Sequence, residues 1–297
     1  MLTQLHTVRD FVRWGASHFG EANIWFGHGT DNAWDEAVVL VCAALHLPVD
    51  SNPNIFDARL TDVEKLRVLE LLERRVSERL PAPYITGEAW FAGLKFKVDE
   101  RVLVPRSPVA ELIEQDFMPW LADEPERILD LCTGSGCIGI ACAYQFPDAS
   151  VDLSDISQDA LAVAELNIAA HQVSGRVRTL LSDGFEGIEG RYDLIVSNPP
   201  YVDDGDLAAM PEEYRREPAM ALASGADGLD FTRLALAQAA EYLTETGILV
   251  MEVGNSWVTL AETYPDIPFT WLELERGGHG VFVLTRAELE AAQEQLG

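Results

Sequence analysis

Residues 127–139 read Arg-Ile-Leu-Asp-Leu-Cys-Thr-Gly-Ser-Gly-Cys-Ile-Gly, an apolar run that leads into three closely spaced glycines. The apolar run predicts a buried strand over 128–132, because strands covered on both faces read as continuous hydrophobic segments. Gly134, Gly136 and Gly139 permit a tight turn and a close approach of a ligand to the backbone, and a helix is predicted over 138–146. This unit predicts an α/β sheet with a ligand site at its strand ends.

Strands and helices continue to alternate through the rest of the chain, which predicts a doubly wound sheet. The remaining predicted strands lie at 151–154, 177–181, 192–197, 248–253, 270–274 and 280–284, and further helices at 159–171 and 231–243. The last two strands follow each other without a long helix, which predicts a hairpin and an antiparallel final strand. The sequence therefore predicts an α/β fold with a seven-stranded sheet in residues 109–297.

The N-terminal third predicts a small helical bundle over residues 1–84. Apolar residues recur at helical spacing in three segments, 3–19, 32–47 and 61–80. Thr61 and Glu64 form a predicted capping box at the start of the third helix. Alternation at 94–98 and 102–104, on either side of Asp99-Glu100, predicts a β-hairpin linker within 85–108. We interpret the bundle either as a packing partner or as a domain that recognises a macromolecular substrate.

Polar residues follow three of the predicted strands, at the edge where ligands bind in such sheets. Asp155, about 20 residues beyond the glycines, suits the hydroxyls of a ribose. Asp183 and Phe185 follow the next strand and suit the amino group and the ring face of adenine. The candidate cofactor-binding residues are Asp130, Thr133, Gly134, Ser135, Gly136, Asp155, Ile156, Asp183, Gly184, Phe185 and Asn198. A nicotinamide dinucleotide fits the same glycines, but the antiparallel final strand and Asp130 favour S-adenosylmethionine.

Asn198-Pro199-Pro200-Tyr201 ends the strand predicted at 192–197 and supplies the candidate catalytic residues. The side-chain oxygen of Asn198 and the carbonyl of Pro199, which the following proline holds extended, are two acceptors for the hydrogens of an –NH₂ group. Pro200 stiffens the loop, and the Tyr201 ring can pack on a planar amide. The alternative interpretation is a simple turn after a strand.

The chain is strongly acidic, with a net charge of −28 over 297 residues. Such a field repels a phosphate backbone and attracts a basic partner, so we expect no direct nucleic-acid binding; the alternative is a role in solubility alone. No apolar run reaches the roughly 18 residues that a membrane span needs, and we expect a soluble cytoplasmic protein without a membrane partner. The four cysteines lack zinc-site spacing, so we expect no metal.

The combination of Asp-x-x-Thr-Gly-Ser-Gly at 130–136, Asp155 and Asn198-Pro-Pro-Tyr resembles the class I S-adenosylmethionine-dependent methyltransferases that act on exocyclic or amide nitrogens. With the N-terminal bundle and the hairpin at 91–108, nearly the whole chain is similar to the N(5)-glutamine methyltransferases. The resemblance implies a Rossmann-like sheet and methylation of a glutamine side-chain amide on a protein. Some relatives carry Trp where this chain has Gly184, so adenine stacking is assigned to Phe185.

Two subgroups of that family differ in substrate. The segment Pro105-Arg106-Ser107-Pro108-Val109-Ala110-Glu111 and the segment from Glu252 to Ser256 are similar to the subgroup that modifies the third protein of the large (50S) ribosomal subunit. The resemblance therefore implies a basic ribosomal protein as the partner. The alternatives are the same reaction on peptide chain release factors, DNA adenine methylation, and a non-catalytic binding module.

Two further features are left with two interpretations each. Arg106 is interpreted as a surface charge rather than as a ligand for a substrate carboxylate. The long segment 202–229, which is acidic in its first half, is either a substrate-covering loop or a solvated surface loop.

Overall fold

The computed structural model describes residues 4–296. Contacts along the chain divide it into two compact units. The first comprises the described residues up to Ala89 together with Pro211–Arg216, and the second comprises Trp90–Met210 and the residues from Glu217 onward. Each unit has its own hydrophobic core.

Among the described residues, the first unit contains four α-helices: α1 (Val8–Glu21), α2 (Ala33–Ala44), α3 (Asp62–Ser77) and α4 (Ala82–Thr86). The capping box predicted at Thr61 is confirmed, since the Thr61 hydroxyl accepts from the N–H of Glu64 and the Glu64 carboxylate accepts from the N–H of Thr61. The predicted start of the first helix at residue 3 lies outside the described residues. Apolar faces of α1, α2 and α3 make the core, with Phe11, Phe19, Leu40, Val68 and Leu72 fully buried.

Pro211–Arg216, from the middle of the long acidic segment, packs within the first unit. Glu213 is almost fully buried there and accepts hydrogen bonds from the N–H of Trp25 (3.1 Å) and from Arg79 Nη1 (3.0 Å). Its carboxylate also lies 3.7 Å from Arg75, whose guanidinium is ion-paired with Glu36. Burial alone raises the pKa of Glu213, but these donors and cations outweigh it and lower the pKa. The segment is therefore not simply a solvated loop.

A two-stranded ribbon, β1 (Glu88–Phe91) and β2 (Leu94–Lys97), follows α4. The predicted pairing of 94–98 with 102–104 is therefore wrong. The connection between β1 and β2 is Ala92-Gly93, with positive φ angles of 47° and 73°, a backbone that matches the twist of a two-residue hairpin. Alanine rarely adopts this conformation, so the sequence carries no usual turn signal there.

The second unit contains seven strands in one sheet, as predicted: β3 (Arg127–Leu131), β4 (Ser150–Asp155), β5 (Val177–Leu181), β6 (Tyr192–Ser197), β7 (Leu243–Glu252), β8 (Thr270–Trp271) and β9 (Val281–Thr285). Their order is β5-β4-β3-β6-β7-β9-β8, with β9 antiparallel to both of its neighbours. The predicted hairpin at the end of the chain is confirmed. Strand β7 begins five residues earlier than predicted, at the buried Leu243, which pairs with Tyr192 of β6.

Seven helices accompany this sheet: α5 (Val109–Glu114), α6 (Cys137–Gln145), α7 (Gln158–His171), α8 (Asp204–Ala209), α9 (Asp230–Tyr242), α10 (Trp257–Thr263) and α11 (Arg286–Leu296). Alternate strand residues face two separate cores. Ile128 packs in one with α6 and α7, and Leu129 packs in the other with α9 and α11. None of the described helices has both the length and the apolar character that a membrane crossing requires.

Central strand β3 lies between β4 and β6, and the three are parallel. Leu131 is level with Ser154 on one side and with Ser197 on the other. The loops that leave these strands therefore emerge at one edge, on either side of the point where the strand order reverses. In open α/β sheets this is the position at which ligands bind.

Candidate active site

A cavity of about 320 Å³ lies at this carboxyl edge of the sheet, within the second unit. Its volume falls in the range of small-ligand sites. The strand ends contribute Leu131, Cys132, Thr133, Gly134, Ser135, Asp155, Ile156, Ser182, Asp183, Gly184, Asn198 and Pro200 to its wall. The structure thus brings together most of the residues that the sequence marked as candidates.

The loop after β3 approaches the sheet as closely as its glycines allow. Gly136 has a φ of +81° and is followed directly by α6. A Cβ on Gly139 would lie 2.2 Å from Leu153 Cδ2 and 3.0 Å from the Cβ of Asp130. Any larger residue at 139 would push α6 away from β3 and β4 and open the loop that lines the cavity.

Asp130 lies behind this loop and does not line the cavity, so its position does not support the prediction that it binds the cofactor directly. It is fully buried, and its Oδ2 accepts from Thr133 Oγ1 (2.5 Å) and from the N–H of Gly139 (2.8 Å). Burial raises the pKa of Asp130 to about 7, in spite of these two donors. The carboxyl group holds the loop in shape from within the sheet.

Asp155, at the end of β4, lines the cavity and is tied to two neighbouring segments. Its Oδ2 accepts from the N–H of Gly134 (2.9 Å) and its Oδ1 from the N–H of Ser157 (2.9 Å). Burial raises the pKa of this carboxyl group. Ile156 beside it is 53% exposed, although it is apolar, and its side chain contributes to the cavity wall. The pair presents a carboxylate and an apolar surface to whatever the cavity holds.

The end of β5 supplies Asp183 and Gly184 to the wall, but not Phe185. Phe185 is 1% exposed and stacks on Tyr242 of α9, with ring centroids 4.6 Å apart. The prediction that Phe185 stacks on an adenine is therefore wrong. Its ring points into the core between the sheet and α9, because Gly184 has a φ of +55° and redirects the chain.

Asn198 stands at the end of β6 and is one of the residues that line the cavity. Its Oδ1 is buried and has no hydrogen-bond partner within the described part of the chain, and the same holds for Ser135 Oγ. Pro199 is buried and Pro200 lines the cavity. Buried acceptors without partners are costly, so both atoms are candidates for contact with a ligand.

Tyr201, the last residue of the predicted motif, is only half-buried and does not contribute to the cavity wall. Its hydroxyl donates to Glu252 Oε1 at the end of β7 (3.0 Å). The predicted packing of this ring on a substrate amide stays a prediction.

Several cavity residues carried no local sequence signal. The segment from Arg101 to Ser107 forms one wall, and Met220, Ala221 and Phe231 belong to others. The interpretation of Arg106 as a surface charge is wrong. Its guanidinium makes two hydrogen bonds to the buried carboxylate of Glu217 (2.7 and 2.8 Å), which also accepts from the N–H of Val104 (2.9 Å). The pairing joins positions 111 residues apart, so only the fold reveals it.

Comparison with known proteins places this geometry in a family. Residues 115–226 match the family model described as "Methyltransferase small domain". A ribosomal protein uL3 glutamine methyltransferase from Francisella tularensis is 51% identical over 97% of this chain and 93% of its own length. The chain belongs to the uL3 glutamine methyltransferase family. A second member, from Neisseria gonorrhoeae, is 49% identical over 96% of both chains.

The methyltransferase family that the sequence resembled, and its ribosomal-protein subgroup, are thus confirmed, as is the class of enzyme. Among solved structures, the hMettl16 catalytic domain in complex with a 3′UTR hairpin has a TM-score of 0.52 and 16% identity, covering 79% of this chain and 86% of that one. At this identity the likeness concerns the fold alone. It agrees with the predicted class I methyltransferase sheet. Among residues 4–296, no group of three or more His, Cys, Asp or Glu residues is arranged to hold a metal ion.

Proposed function

We propose that this chain methylates the side-chain amide nitrogen of a glutamine in ribosomal protein uL3, with S-adenosylmethionine as the methyl donor. The observation that carries the proposal is the buried, unpartnered Oδ1 of Asn198 in the wall of the cavity, in a chain about half identical to two uL3 glutamine methyltransferases. A lone acceptor at the end of β6 suits an N–H donor, which a glutamine amide supplies.

The residues of the cavity fit the proposed cofactor. Asp155 offers a carboxylate to ribose hydroxyls, and Asp183 offers a carboxylate to an amino group. The loop around Gly134 and the unpartnered Ser135 hydroxyl would hold the polar part of the cofactor, and Ile156 and Phe231 offer apolar surface. When bound, S-adenosylmethionine supplies a methyl group on a positively charged sulfur.

Asn198 addresses the chemical difficulty of the reaction, which is that an amide nitrogen is a weak nucleophile because its lone pair is delocalised. Its Oδ1 accepts one N–H of the substrate amide, and the carbonyl of Pro199 is proposed to accept the other. Both acceptors stabilise the positive charge that develops on the nitrogen in the transition state. They also hold the nitrogen in one orientation, so that positioning supplies much of the rate.

The rest of the chain is proposed to serve recognition. The first unit is proposed as the domain that recognises the protein substrate, and the net charge of −28 as a field that attracts a basic one. The same charge disfavours direct binding of nucleic acid, and cytoplasmic action follows from a ribosomal substrate. If the field steers association, the association rate falls as salt is added; a rate that does not depend on salt leaves solubility as its only role.

The deciding experiment incubates the enzyme with labelled S-adenosylmethionine and either unmodified uL3 or an unmodified release factor, and then locates the methyl group by mass spectrometry. The proposal expects one methyl group on a glutamine side chain of uL3. Label on the release factor alone would support the proposed chemistry and would show that uL3 is not the substrate. Label on neither, with the cofactor still bound in calorimetry, overturns the proposal.

A further inference from the structure

We propose that Glu252 is a positioning residue for the reaction: its carboxylate fixes Tyr201 and thereby the path of the Asn198-Pro-Pro-Tyr201 segment. The inference rests on the proposed function and deepens it, by naming what keeps the Asn198 acceptor in place. Glu252 is the last residue of β7 and is 5% exposed. It is not among the residues that the sequence motifs predicted to be catalytic.

Both carboxylate oxygens of Glu252 accept a hydrogen bond from a hydroxyl group. Oε1 accepts from the Tyr201 hydroxyl (3.0 Å), and Oε2 accepts from Ser107 Oγ (2.6 Å). The Ser107 oxygen itself accepts from the N–H of Val109 (3.2 Å), so its own hydrogen is directed to Glu252. Glu252 therefore joins the end of the catalytic segment to Ser107, which lies two residues before α5 and 145 positions before Glu252.

Tyr201 is held by the same stretch of chain at two further points. A Cβ on Gly254 would lie 2.4 Å from Tyr201 Cε2, so the ring rests directly on the backbone there. The Ser256 hydroxyl donates to the Tyr201 carbonyl (2.7 Å). Residues 252–256 thus contact the hydroxyl, the ring and the backbone of one tyrosine. We name these residues the tyrosine cradle.

Fixing Tyr201 restricts Asn198, because two prolines lie between them. Each proline holds φ near −65°, so few backbone torsions remain free over these four residues. Asn198 itself has no protein partner for its Oδ1 among the described residues. The position of the Asn198 Cα and the direction of its Cα–Cβ bond are set by the backbone, whose two ends are anchored in β6 and in the tyrosine cradle.

A carboxylate suits this task better than a neutral group. Glu252 is buried, and burial raises its pKa, while the two hydroxyl donors and the nearby Arg106 charge lower it. Hydrogen bonds to a charged acceptor are shorter and stronger than those to a neutral one. A glutamine at this position would retain an oxygen for one hydroxyl and would present a donor to the other.

The test is a double-mutant cycle on kcat with uL3 as substrate, using Glu252→Ala, Tyr201→Phe and the double variant. Each single variant is expected to lose about tenfold in kcat, and the double variant about the same, because both remove one interaction. The affinity for S-adenosylmethionine in calorimetry stays unchanged. Glu252→Gln is expected to recover part of the rate. Additive losses, or a Tyr201→Phe variant at the wild-type rate, would overturn the inference.

A matched control pair exists elsewhere in the same sheet. The Tyr192 hydroxyl donates to Asp152 Oδ2 (2.7 Å), also a buried tyrosine–carboxylate pair, but away from the cavity. Tyr192→Phe is expected to lower thermal stability and to leave kcat unchanged. An equal loss of kcat in Tyr192→Phe would show that any weakened tyrosine–carboxylate pair has this effect, and would overturn a specific role for Glu252.

Hydrogen exchange separates failure of this inference from failure of the proposed function. A peptide spanning 198–204 contains the N–H groups of Tyr201 and Val202, and it should exchange faster in Glu252→Ala than in the wild type. If exchange is faster but the enzyme does not methylate uL3, the proposed substrate is wrong and the positioning role of Glu252 is supported. Unchanged exchange in an enzyme that does methylate uL3 would retain the function and overturn the role of Glu252.

Discussion

The two ends of the central sheet both bury carboxyl groups, but in opposite electrostatic settings. Near the amino end, Asp152 accepts hydrogen bonds from Arg178 (2.6 Å), Arg127 (3.2 Å) and Tyr192 (2.7 Å). Burial alone raises the pKa of Asp152, but these partners outweigh it and lower the pKa. At the carboxyl end, burial raises the pKa of Asp130, Asp155 and Glu252, and the neutral donors that each accepts from are too weak to offset it.

The difference separates stability from function. A carboxylate paired with two arginines contributes to folding and has no capacity left for a ligand. A buried carboxylate that accepts only from neutral donors is stabilised less than one paired with arginines. It also retains lone pairs that a ligand can use. Raised pKa values of buried acids are frequent at functional sites for this reason. The comparison predicts that substitutions of cavity-lining residues at the carboxyl end change turnover or binding, and that substitutions of residues outside the cavity wall, such as those at the amino end, change stability.

Asn198→Ala should have the largest effect. Loss of one acceptor for the developing charge is expected to lower kcat about 100- to 1,000-fold, with the free energy of unfolding nearly unchanged. Steady-state kinetics with uL3 measure kcat, and denaturant unfolding measures the free energy of unfolding. Asn198→Gln is the matched control, since it retains the amide but displaces it, and it should also be slow. Wild-type turnover of Asn198→Ala would contradict the proposed mechanism.

Asp152→Ala should show the opposite pattern. It leaves Arg127 and Arg178 without their shared carboxylate and is expected to lower the free energy of unfolding by about 3 kcal/mol. Denaturant unfolding gives this value, and kcat at a temperature where the variant is folded should equal that of the wild type. Asp148→Ala, on the exposed turn before β4, serves as the control with no stability change. A large loss of kcat in Asp152→Ala would contradict the prediction that substitutions at the amino end change stability and not turnover.

Asp130 predicts a pH dependence of stability. Its pKa is raised to about 7 in the folded chain, so the native state binds the proton more tightly than the unfolded state. This contribution is fully present below about pH 4 and is lost as the pH rises toward and through 7, by about 2 to 3 kcal/mol between pH 5 and pH 8.

Asp130→Asn retains an acceptor for Thr133 and Gly139 and has no charge to acquire. Unfolding free energies of wild type and variant, measured at pH 5 and pH 8, should therefore converge at low pH, with the variant more stable at high pH. A constant difference over this range would show that Asp130 titrates normally.

Asp155→Asn should give the smallest of the four effects. The variant retains one oxygen for the Gly134 and Ser157 N–H groups but loses the charge offered to the ribose, and the Kd for S-adenosylmethionine is expected to rise about tenfold. Calorimetry measures the change. Asp159→Asn, an exposed residue in the first turn of α7, is the control and should bind normally. An unchanged Kd in Asp155→Asn would show that Asp155 does not bind the ribose.

The sequence determined the parts of the molecule that depend on local pattern. Apolar runs of four to six residues gave the strands of the parallel part of the sheet, because such strands are covered on both faces. The three glycines after β3 and the prolines after β6 marked where these strands stop, and hence which residues reach the ligand edge. Asn198, Asp155 and the loop around Gly134 were found in this way, as was the family.

Contacts between distant segments were decided only by the tertiary structure. Phe185 follows the right strand, but the turn at Gly184 directs its ring into the core beneath α9. Arg106 donates hydrogen bonds to Glu217, and Ser107 and Tyr201 donate to Glu252. The partners are more than 50 residues apart in each case. A side chain's residue type and its neighbours in sequence fix what it can bind. Which partner it meets depends on how the helices and strands pack, because burial selects partners in space and not along the chain.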